Sequence, residues 1–166
     1  MFGSAGLDHQ LCYSAQAVET VRSKSMIAVR QGVYVVYVHT AESPSDEEWD
    51  LAMRFYQTAD VSRLKTLVYT DGAAPNAAQR GRLNAALGGH KLLMALLTPS
   101  VFARAAGTAI SWFNPNVRVF GPGDFDAALR HLAASPEEGA TLSGLVEKHK
   151  AELGISFSAA ERPAPP

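Results

Sequence analysis

The sequence has little of what many classes of protein require. It contains one cysteine, Cys12, among 166 residues, so neither a disulfide framework nor a cysteine-rich zinc site can form within the chain. Its 15 basic and 16 acidic side chains give a formal net charge of −1, unlike the strongly basic surface typical of nucleic-acid-binding domains. The histidines are dispersed without ligand spacing. We therefore expect no nucleic-acid partner, no metal and no cofactor.

Long apolar stretches and nucleotide-binding motifs are missing too. No stretch reaches the roughly 18 consecutive apolar residues that a membrane-spanning helix needs. Residues 1–10 lack the basic and apolar segments of a signal peptide. Neither a GxxxxGK[ST] loop nor a GxGxxG turn occurs. These absences predict a cytoplasmic protein with no membrane span and no bound nucleotide.

What is present is a regular alternation of short apolar runs with helix-like segments. A run at residues 26–29 turns through Gly32 into a second run that is apolar on both faces, which predicts a β-hairpin ending in a buried strand. Residues 92–97 would fit a helix equally well, but the flanking glycines and Pro99 favour a strand. Four runs are predicted to lie side by side in one sheet, and they begin at Val33, Leu67, Leu92 and Val117.

Capping residues mark where helices begin between these runs. Ser45 and Glu48 have capping-box spacing, although Ser43 before Pro44 is an equally good start. Strands that alternate with helices imply parallel pairing through helical crossovers. The predicted fold class is therefore α/β, with a mostly parallel sheet of four to five strands, an N-terminal β-hairpin and flanking helices.

The same patterns divide the chain into four parts. The stripe from Leu142 to Leu153 has the spacing of a short amphipathic helix, and the proline-rich end has the composition of a disordered segment. The predicted parts are an N-terminal arm over 1–20, an α/β domain over 21–133, a linker with the short helix over 134–153 and a tail over 154–166.

Polar residues follow the predicted strands at the edge where α/β domains bind ligands. The helix that begins near Ser100 also offers free backbone N–H groups to an anion. A pocket at the strand ends, taking an anion or a lipid-like ligand, is the alternative function that we consider. The same residue types are common in strand-to-helix turns, so a structural role stays open. The candidate ligand-binding residues are His39, Asp71, Thr98, Ser100 and Arg104.

Two apolar features exceed what a simple core needs. The first helix is apolar over more than half its circumference, so that Leu51 and Phe55 are expected to point away from the sheet. Trp112-Phe113 ends a helix rich in small residues, among them Ala103 and Gly107, which let a helix approach another backbone closely. The polar side of the second helix also carries two arginines. Two interpretations stay open. These surfaces are covered within the chain, by residues 1–20 or by the helix at 142–153, or they bind a partner protein or a second copy of the chain. The candidate partner-binding residues are Asp71, Asn76, Gln79, Arg80, Arg82, Leu51, Phe55, Trp112 and Phe113.

The pattern from Met26 to Leu132 resembles the STAS domain, the fold of anti-sigma-factor antagonists and of the cytoplasmic ends of sulfate transporters. The resemblance depends on the hairpin, the four β-α turns, the strand ending in Asp71 and the Val119-Phe120 strand before an Ala-Leu helix. It is closest to the divergent bacterial stand-alone STAS/Sec14-like branch. It implies a non-enzymatic module that binds a protein partner or a small ligand.

The sequence departs from that family at its regulatory segment. STAS domains of this type carry an Asp-Ser-Ser-Gly-like segment whose serine a partner kinase phosphorylates. The corresponding residues 71–77 contain neither serine nor threonine, so this switch cannot be transferred. What remains is the first functional expectation: a cytoplasmic signalling or adaptor domain, not an enzyme, that acts by docking another protein at residues 71–82, with homodimerisation as an option.

Overall fold

The computed structural model describes residues 18–155, without the side chains of Ala106, Ala109, Trp112 and Phe113. Within this range one six-stranded sheet forms the centre of the molecule, and its strands lie in sequence order. The first two pairings, β1 with β2 and β2 with β3, are antiparallel, and the following three are parallel. The strands are β1 (Glu19–Arg22), β2 (Met26–Gln31), β3 (Tyr34–His39), β4 (Lys65–Thr70), β5 (Leu93–Leu97) and β6 (Val117–Phe120).

This sheet corrects the predicted fold class. The prediction of a mostly parallel sheet with four to five strands is wrong, because the sheet has six strands and mixes both kinds of pairing. The missed strand is β1, whose side chains are mostly exposed. An exposed edge strand is held by main-chain hydrogen bonds to one neighbour and needs no apolar run, so its sequence carries no hydrophobic signal.

The hairpin and the adjacency of the apolar runs are confirmed. Strands β2 and β3 pair from Met26↔His39 to Gln31↔Tyr34. Residues 93–97 form strand β5, which resolves the helix-or-strand ambiguity. All six residues of β3 are buried, as expected for a strand with helices on both sides.

Five helices cover the two faces of the sheet. Sequential strand order with right-handed crossovers places the three crossover helices on one side, which we call the first face. The two helices after β6 cover the opposite, second face, where they pack on Val36, Leu67 and Ala95. The helices are α1 (Asp46–Gln57), α2 (Ala77–Leu87), α3 (Val101–Phe113), α4 (Phe125–His131) and α5 (Pro136–Glu152).

Helix starts follow the capping residues closely. Ser45 is the true cap of α1, and it forms the expected capping box with Glu48. Helix α5 begins at Pro136, where Ser135 and Glu138 form a second capping box. Residues 136–141 are therefore helical rather than linker, and α5 is longer than the short helix expected from the stripe after Leu142.

Helix α3 approaches the sheet closely because it carries Gly107. A Cβ atom at this position would lie 2.6 Å from Val119 Cγ2 and 2.7 Å from Leu96 Cδ2. Glycine therefore sets the separation between α3 and the strands β5 and β6. Across residues 18–155, no helix combines the length and the apolar character needed to cross a membrane.

Candidate functional site

A cavity of about 90 Å³ lies on the first face, between the sheet and the helices α1, α2 and α3. Large apolar side chains from four different elements form most of its wall. Its far end reaches the carboxyl ends of β3 and β4, where His39 and Thr70 are in register on neighbouring strands. The apolar lining includes Trp49, Met53, Leu83, Met94, Leu96 and Ile110.

Small residues leave this space open. Ala103 and Gly107 lie one helical turn apart on the side of α3 that lines the cavity, and Ala73 and Ala74 line it from the loop after β4. None of these residues has a side chain that reaches beyond Cβ. Gly107 allows the close approach of α3 to β5 and β6, and the short side chains of the alanines leave the neighbouring space unfilled.

Most polar groups in the wall bond to the protein itself. The indole Nε1 of Trp49 donates to the Gln79 carbonyl oxygen at 2.9 Å. The hydroxyl of Tyr37 donates to the Ala52 carbonyl oxygen at 3.2 Å. These two bonds lock the wall contributed by α1 and β3 and leave neither group for a ligand.

The remaining two hydroxyls of the wall are also paired. Tyr56 and Thr66 share a hydrogen bond of 3.1 Å between their hydroxyl oxygens. Thr70 donates to the Ala73 carbonyl oxygen at 2.8 Å, which shapes the turn that follows β4. At four positions of the wall the polar group of the side chain is thus hydrogen-bonded within the protein: Trp49, Tyr37, Tyr56 and Thr70.

His39 is different. Its side chain is 7% exposed, and its Nδ1 has no hydrogen-bond partner within residues 18–155. Its ring stacks on Tyr37 with 6.1 Å between the centroids. Burial lowers the pKa of His39 to about 4, against a weaker opposing effect of the nearby Glu48 carboxylate. At neutral pH the cavity wall thus includes a neutral imidazole whose Nδ1 is shielded from water.

The other predicted ligand-binding residues do not meet at this cavity. Thr98 Oγ1 accepts from the Ser100 backbone N–H at 3.1 Å, and Ser100 Oγ accepts from the Ala103 backbone N–H at 3.2 Å. Both hydroxyls therefore serve the turn and the cap that begin α3. Arg104 is exposed on the same helix.

Asp71 lies next to His39 only through the main chain. Its backbone N–H donates to the His39 carbonyl oxygen at 3.1 Å. Within the described range no hydrogen bond joins the two side chains, and Asp71 is not among the residues of the cavity wall. The two residues therefore do not form the acid-base pair that a hydrolase would need.

The expected partner surface is partly consumed by internal contacts. Gln79 is 1% exposed, and its amide donates to the Pro44 carbonyl oxygen at 3.0 Å. Arg82 forms ion pairs with Asp46 at 2.7 Å and Asp50 at 2.8 Å. These contacts fasten α2 to α1, so neither residue is freely available to another protein.

Phe55 adds no exposed area to this surface. Its side chain is 3% exposed, so the surface around it is covered by other residues of the described chain. The apolar cluster to which Phe55 belongs includes Leu64 and Val61 from the turn after α1. Residues beyond the helix thus extend the core around its side, which a helical wheel of α1 alone cannot show.

The rest of the expected surface keeps some exposure. Leu51 is 41% exposed, and Arg80 is exposed with its guanidinium bonded to the Pro75 carbonyl oxygen at 2.7 Å. Asn76 caps α2 through its side-chain oxygen. The side chains of Trp112 and Phe113 lie outside the described part of the chain.

Sequence reasoning selected His39 but missed the wall around it. It noted Ala103 and Gly107 only as small residues that allow close helix packing. Their position on the sheet side of α3 was the available signal for a cavity. It is a weak signal, because small residues more often indicate tight helix contact than open space. Among the described residues, no group of three or more histidine, cysteine or carboxylate side chains could hold a metal ion.

Comparisons with known proteins identify no relative. No protein-family model matches the sequence. No curated protein matches it, and neither does any solved structure. The resemblance to STAS domains accordingly receives no support from these comparisons.

Proposed function

We propose that this protein binds a small, mostly apolar molecule in the cavity between the sheet and the helices α1, α2 and α3. One observation carries the proposal: among the described residues, the cavity wall is apolar apart from a few polar groups that bond within the protein and the buried imidazole of His39. Binding sites for small molecules combine these features, an apolar wall and a few polar groups that fix orientation.

The energetic cost of the cavity supports this role. Protein interiors are close-packed, with few voids larger than a water molecule. The side chains that line this space of about 90 Å³ lack protein contacts on one side. A ligand that fills the space recovers contacts that the protein does not make by itself.

The size of the cavity limits the ligand. An apolar cavity of about 150 Å³ in another protein takes up benzene, and the present one measures about 90 Å³. The space is partly open to solvent, so a single ring or a short branched chain can enter it and extend toward the opening. This excludes nucleotides and whole lipid chains as fully enclosed ligands.

The proposed role is non-enzymatic binding in a cytoplasmic setting. The paired hydroxyls of the wall support the absence of catalysis, because they leave no nucleophile beside His39. A STAS-like relationship remains part of the proposal and is supported by the hairpin followed by alternating strands and helices. Docking of a partner protein stays a prediction, which the burial of Gln79 and Phe55 makes less favoured than ligand binding.

The test is binding of toluene, followed as the rise in melting temperature with toluene concentration. Ala103→Leu adds side-chain atoms directly into the cavity and is expected to abolish the rise. Ala128→Leu is the matched control, because Ala128 is also a buried helix alanine but packs on the second face. The control variant should respond to toluene as the unmodified protein does.

Two results would contradict the proposal. One is the absence of any toluene-dependent rise in the unmodified protein. The other is an equal rise in the Ala103→Leu variant, which would place the bound toluene elsewhere.

A further inference from the structure

Helix α2 is less firmly packed than α1, its neighbour in the cavity wall. Of its 11 residues, all within the described range, Gln79 and Leu87 alone are buried, whereas α1 buries five of 12. Leu83, which lines the cavity, is half-buried. A helix of this length depends on tertiary packing for most of its stability. Packing therefore holds α2 in place less strongly than it holds α1.

Gly81 weakens α2 from within. Its backbone is helical, and an added Cβ atom would meet no other atom within 4 Å, so no neighbour in the described chain requires a glycine here. Relative to alanine, glycine in a helix interior disfavours the helical state by roughly two- to fivefold in the equilibrium constant. The middle of α2 is therefore a weak point.

The attachment of α2 to α1 is largely polar. The Trp49 indole donates to the Gln79 carbonyl oxygen at 2.9 Å, and the Gln79 amide donates to a carbonyl oxygen in the loop before α1 at 3.0 Å. Arg82 forms its ion pairs with Asp46 and Asp50, whose side chains are exposed. Such ion pairs contribute little stability and weaken with salt. The attachment thus depends in large part on groups that water can also satisfy.

Both ends of α2 adjoin glycines with positive φ. Gly72, in the loop before the helix, has a φ of 147°, and Gly88 and Gly89, which end the helix, have φ of 55° and 87°. Glycine adopts such angles without a steric penalty. Hinges are loop or helix-end residues of this kind, which absorb changes in φ and ψ. The two ends therefore suit a helix that moves as a unit.

The cavity meets solvent beside this helix. The wall residues of α1 are buried, but Leu83 on α2 and Ile110 on α3 are only half-buried, and so are Met94 and Leu96 on β5 beneath them. Residues of an inner strand are thus incompletely covered where the two helices should meet. The opening lies between α2 and α3, and a displacement of α2 widens it.

We propose that α2 is the gate of the cavity: it separates from α1 by turning about the loops at its ends, widens the opening beside α3, and so admits and releases the ligand. This inference rests on the proposed function and adds the route into the same cavity. The described position of α2 is the closed state, and the open state is a minor one through which the ligand exchanges.

Amide hydrogen exchange tests the gate in the unmodified protein. Local opening of α2 predicts protection factors for residues 83–87 that are at least about tenfold lower than those for residues 52–56 of α1. Equal protection in the two segments would mean that α2 opens only when the whole protein unfolds, which would overturn the inference.

The variant Gly81→Ala strengthens α2 without changing the cavity wall, to which Gly81 does not belong. The protection factors of residues 83–87 should rise roughly two- to fivefold, and the association and dissociation rate constants of toluene should both fall by the same factor. The dissociation constant should hardly change, because a gate slows entry and exit alike. Line-shape analysis of an NMR titration with toluene measures both rate constants.

Matched variants control this comparison. Gly144 lies in α5 on the second face, and an added Cβ atom there also meets no atom within 4 Å, so Gly144→Ala should leave the rate constants of toluene unchanged. Arg82→Met removes the ion pairs to α1 and should raise both rate constants about twofold. Arg80→Met should not, because the Arg80 guanidinium bonds to the Pro75 carbonyl oxygen in the loop that leads into α2 itself.

The outcomes separate the gate from the proposed function. If toluene binds but Gly81→Ala leaves its rate constants unchanged, or Gly144→Ala slows them equally, the proposed function stands and the gate is wrong. If toluene does not bind to the unmodified protein, the proposed function and the gate fail together.

Discussion

The two faces of the sheet are built from the same strands but packed differently. Side chains alternate along each strand, so β3 contributes Tyr37 and His39 to the first face and Val36 and Val38 to the second. Strand β3 therefore places its larger side chains on the first face and its smaller ones on the second. The helices that cover the two faces differ as well.

On the first face α3 presents Ala103 and Gly107 to the sheet, and a cavity remains. On the second face α5 presents Leu142 and Val146, which are at most 2% exposed and fill the corresponding space. The helix side chains that face the sheet are thus smaller on the first face than on the second.

Buried polar groups differ between the faces as well. On the second face the ammonium of Lys150 lies 4.5 Å from the ring centroid of Tyr69 and 3.6 Å from the Glu147 carboxylate. On the first face His39 Nδ1 has no partner in the described chain. The buried charge of the second face is thus paired within the protein, whereas the buried nitrogen of the first face is not.

The largest expected effect is the dependence of stability on pH through His39. Its folded-state pKa of about 4 lies below the ordinary value of 6.5, so the unfolded chain binds a proton first as the pH falls. Stability is complete above pH 6.5 and decreases toward pH 4, by about 3 kcal/mol in total. Urea unfolding at pH 7 and at pH 4 should show this loss.

The His39→Leu variant isolates that contribution. The pKa of His149 is also lowered by burial. His149 therefore contributes a loss of stability at low pH in both proteins, and this part cancels when they are compared. The variant should lose about 3 kcal/mol less stability between the two pH values. Identical losses in both proteins would show that His39 is not buried as a neutral group.

A smaller effect separates the packing of the two faces. Ala128→Leu forces extra atoms into a packed core and should reduce the free energy of unfolding by about 1–3 kcal/mol. Ala103→Leu places the same atoms in a cavity and should cost less than Ala128→Leu, or increase stability. Chemical denaturation of both variants makes the comparison, and equal losses would mean that the first face is as tightly packed as the second.

The smallest effect concerns the outer surface of the first face. Arg82→Glu places a carboxylate beside Asp46 and Asp50, which should lower the melting temperature slightly, and less in high salt. Arg80→Glu is the control, since Arg80 bonds to a carbonyl oxygen and not to those carboxylates. Capture of a partner protein by the unmodified protein but not by Arg80→Glu would instead support the docking prediction.

The sequence predicted those parts of the fold that depend on buried apolar runs or on caps. The apolar runs that begin at Val33 and Leu67 predicted strands, and Ser45 with Glu48 predicted the start of α1. Both signals lie within a few consecutive residues, so they can be read without knowledge of the tertiary structure. Strand β1 was missed because an edge strand with exposed side chains has no apolar pattern. The early start of α5 was missed because its first turns carry Glu137, Glu138 and Gly139 rather than apolar residues.

The candidate site could be predicted only at its polar end. His39 was identified because it follows a buried strand, at the edge where α/β domains bind ligands. A pocket at the strand ends was expected, but its apolar wall was not, because the wall depends on the distance between α3 and the sheet rather than on any single residue type. Thr98 and Ser100, which were grouped with His39, are absent from the wall and bond within the turn and cap of α3, since capping residues and ligand-binding residues look alike in a sequence.

The most direct test of the central claim is a toluene titration followed by methyl NMR. The methyl groups of Met53, Met94 and Ile110 line the cavity, whereas those of Leu132, Leu142 and Val146 lie on the second face. The account predicts saturable shifts in the first set and little change in the second. Shifts of equal size on both faces, or none in the first set, would contradict it.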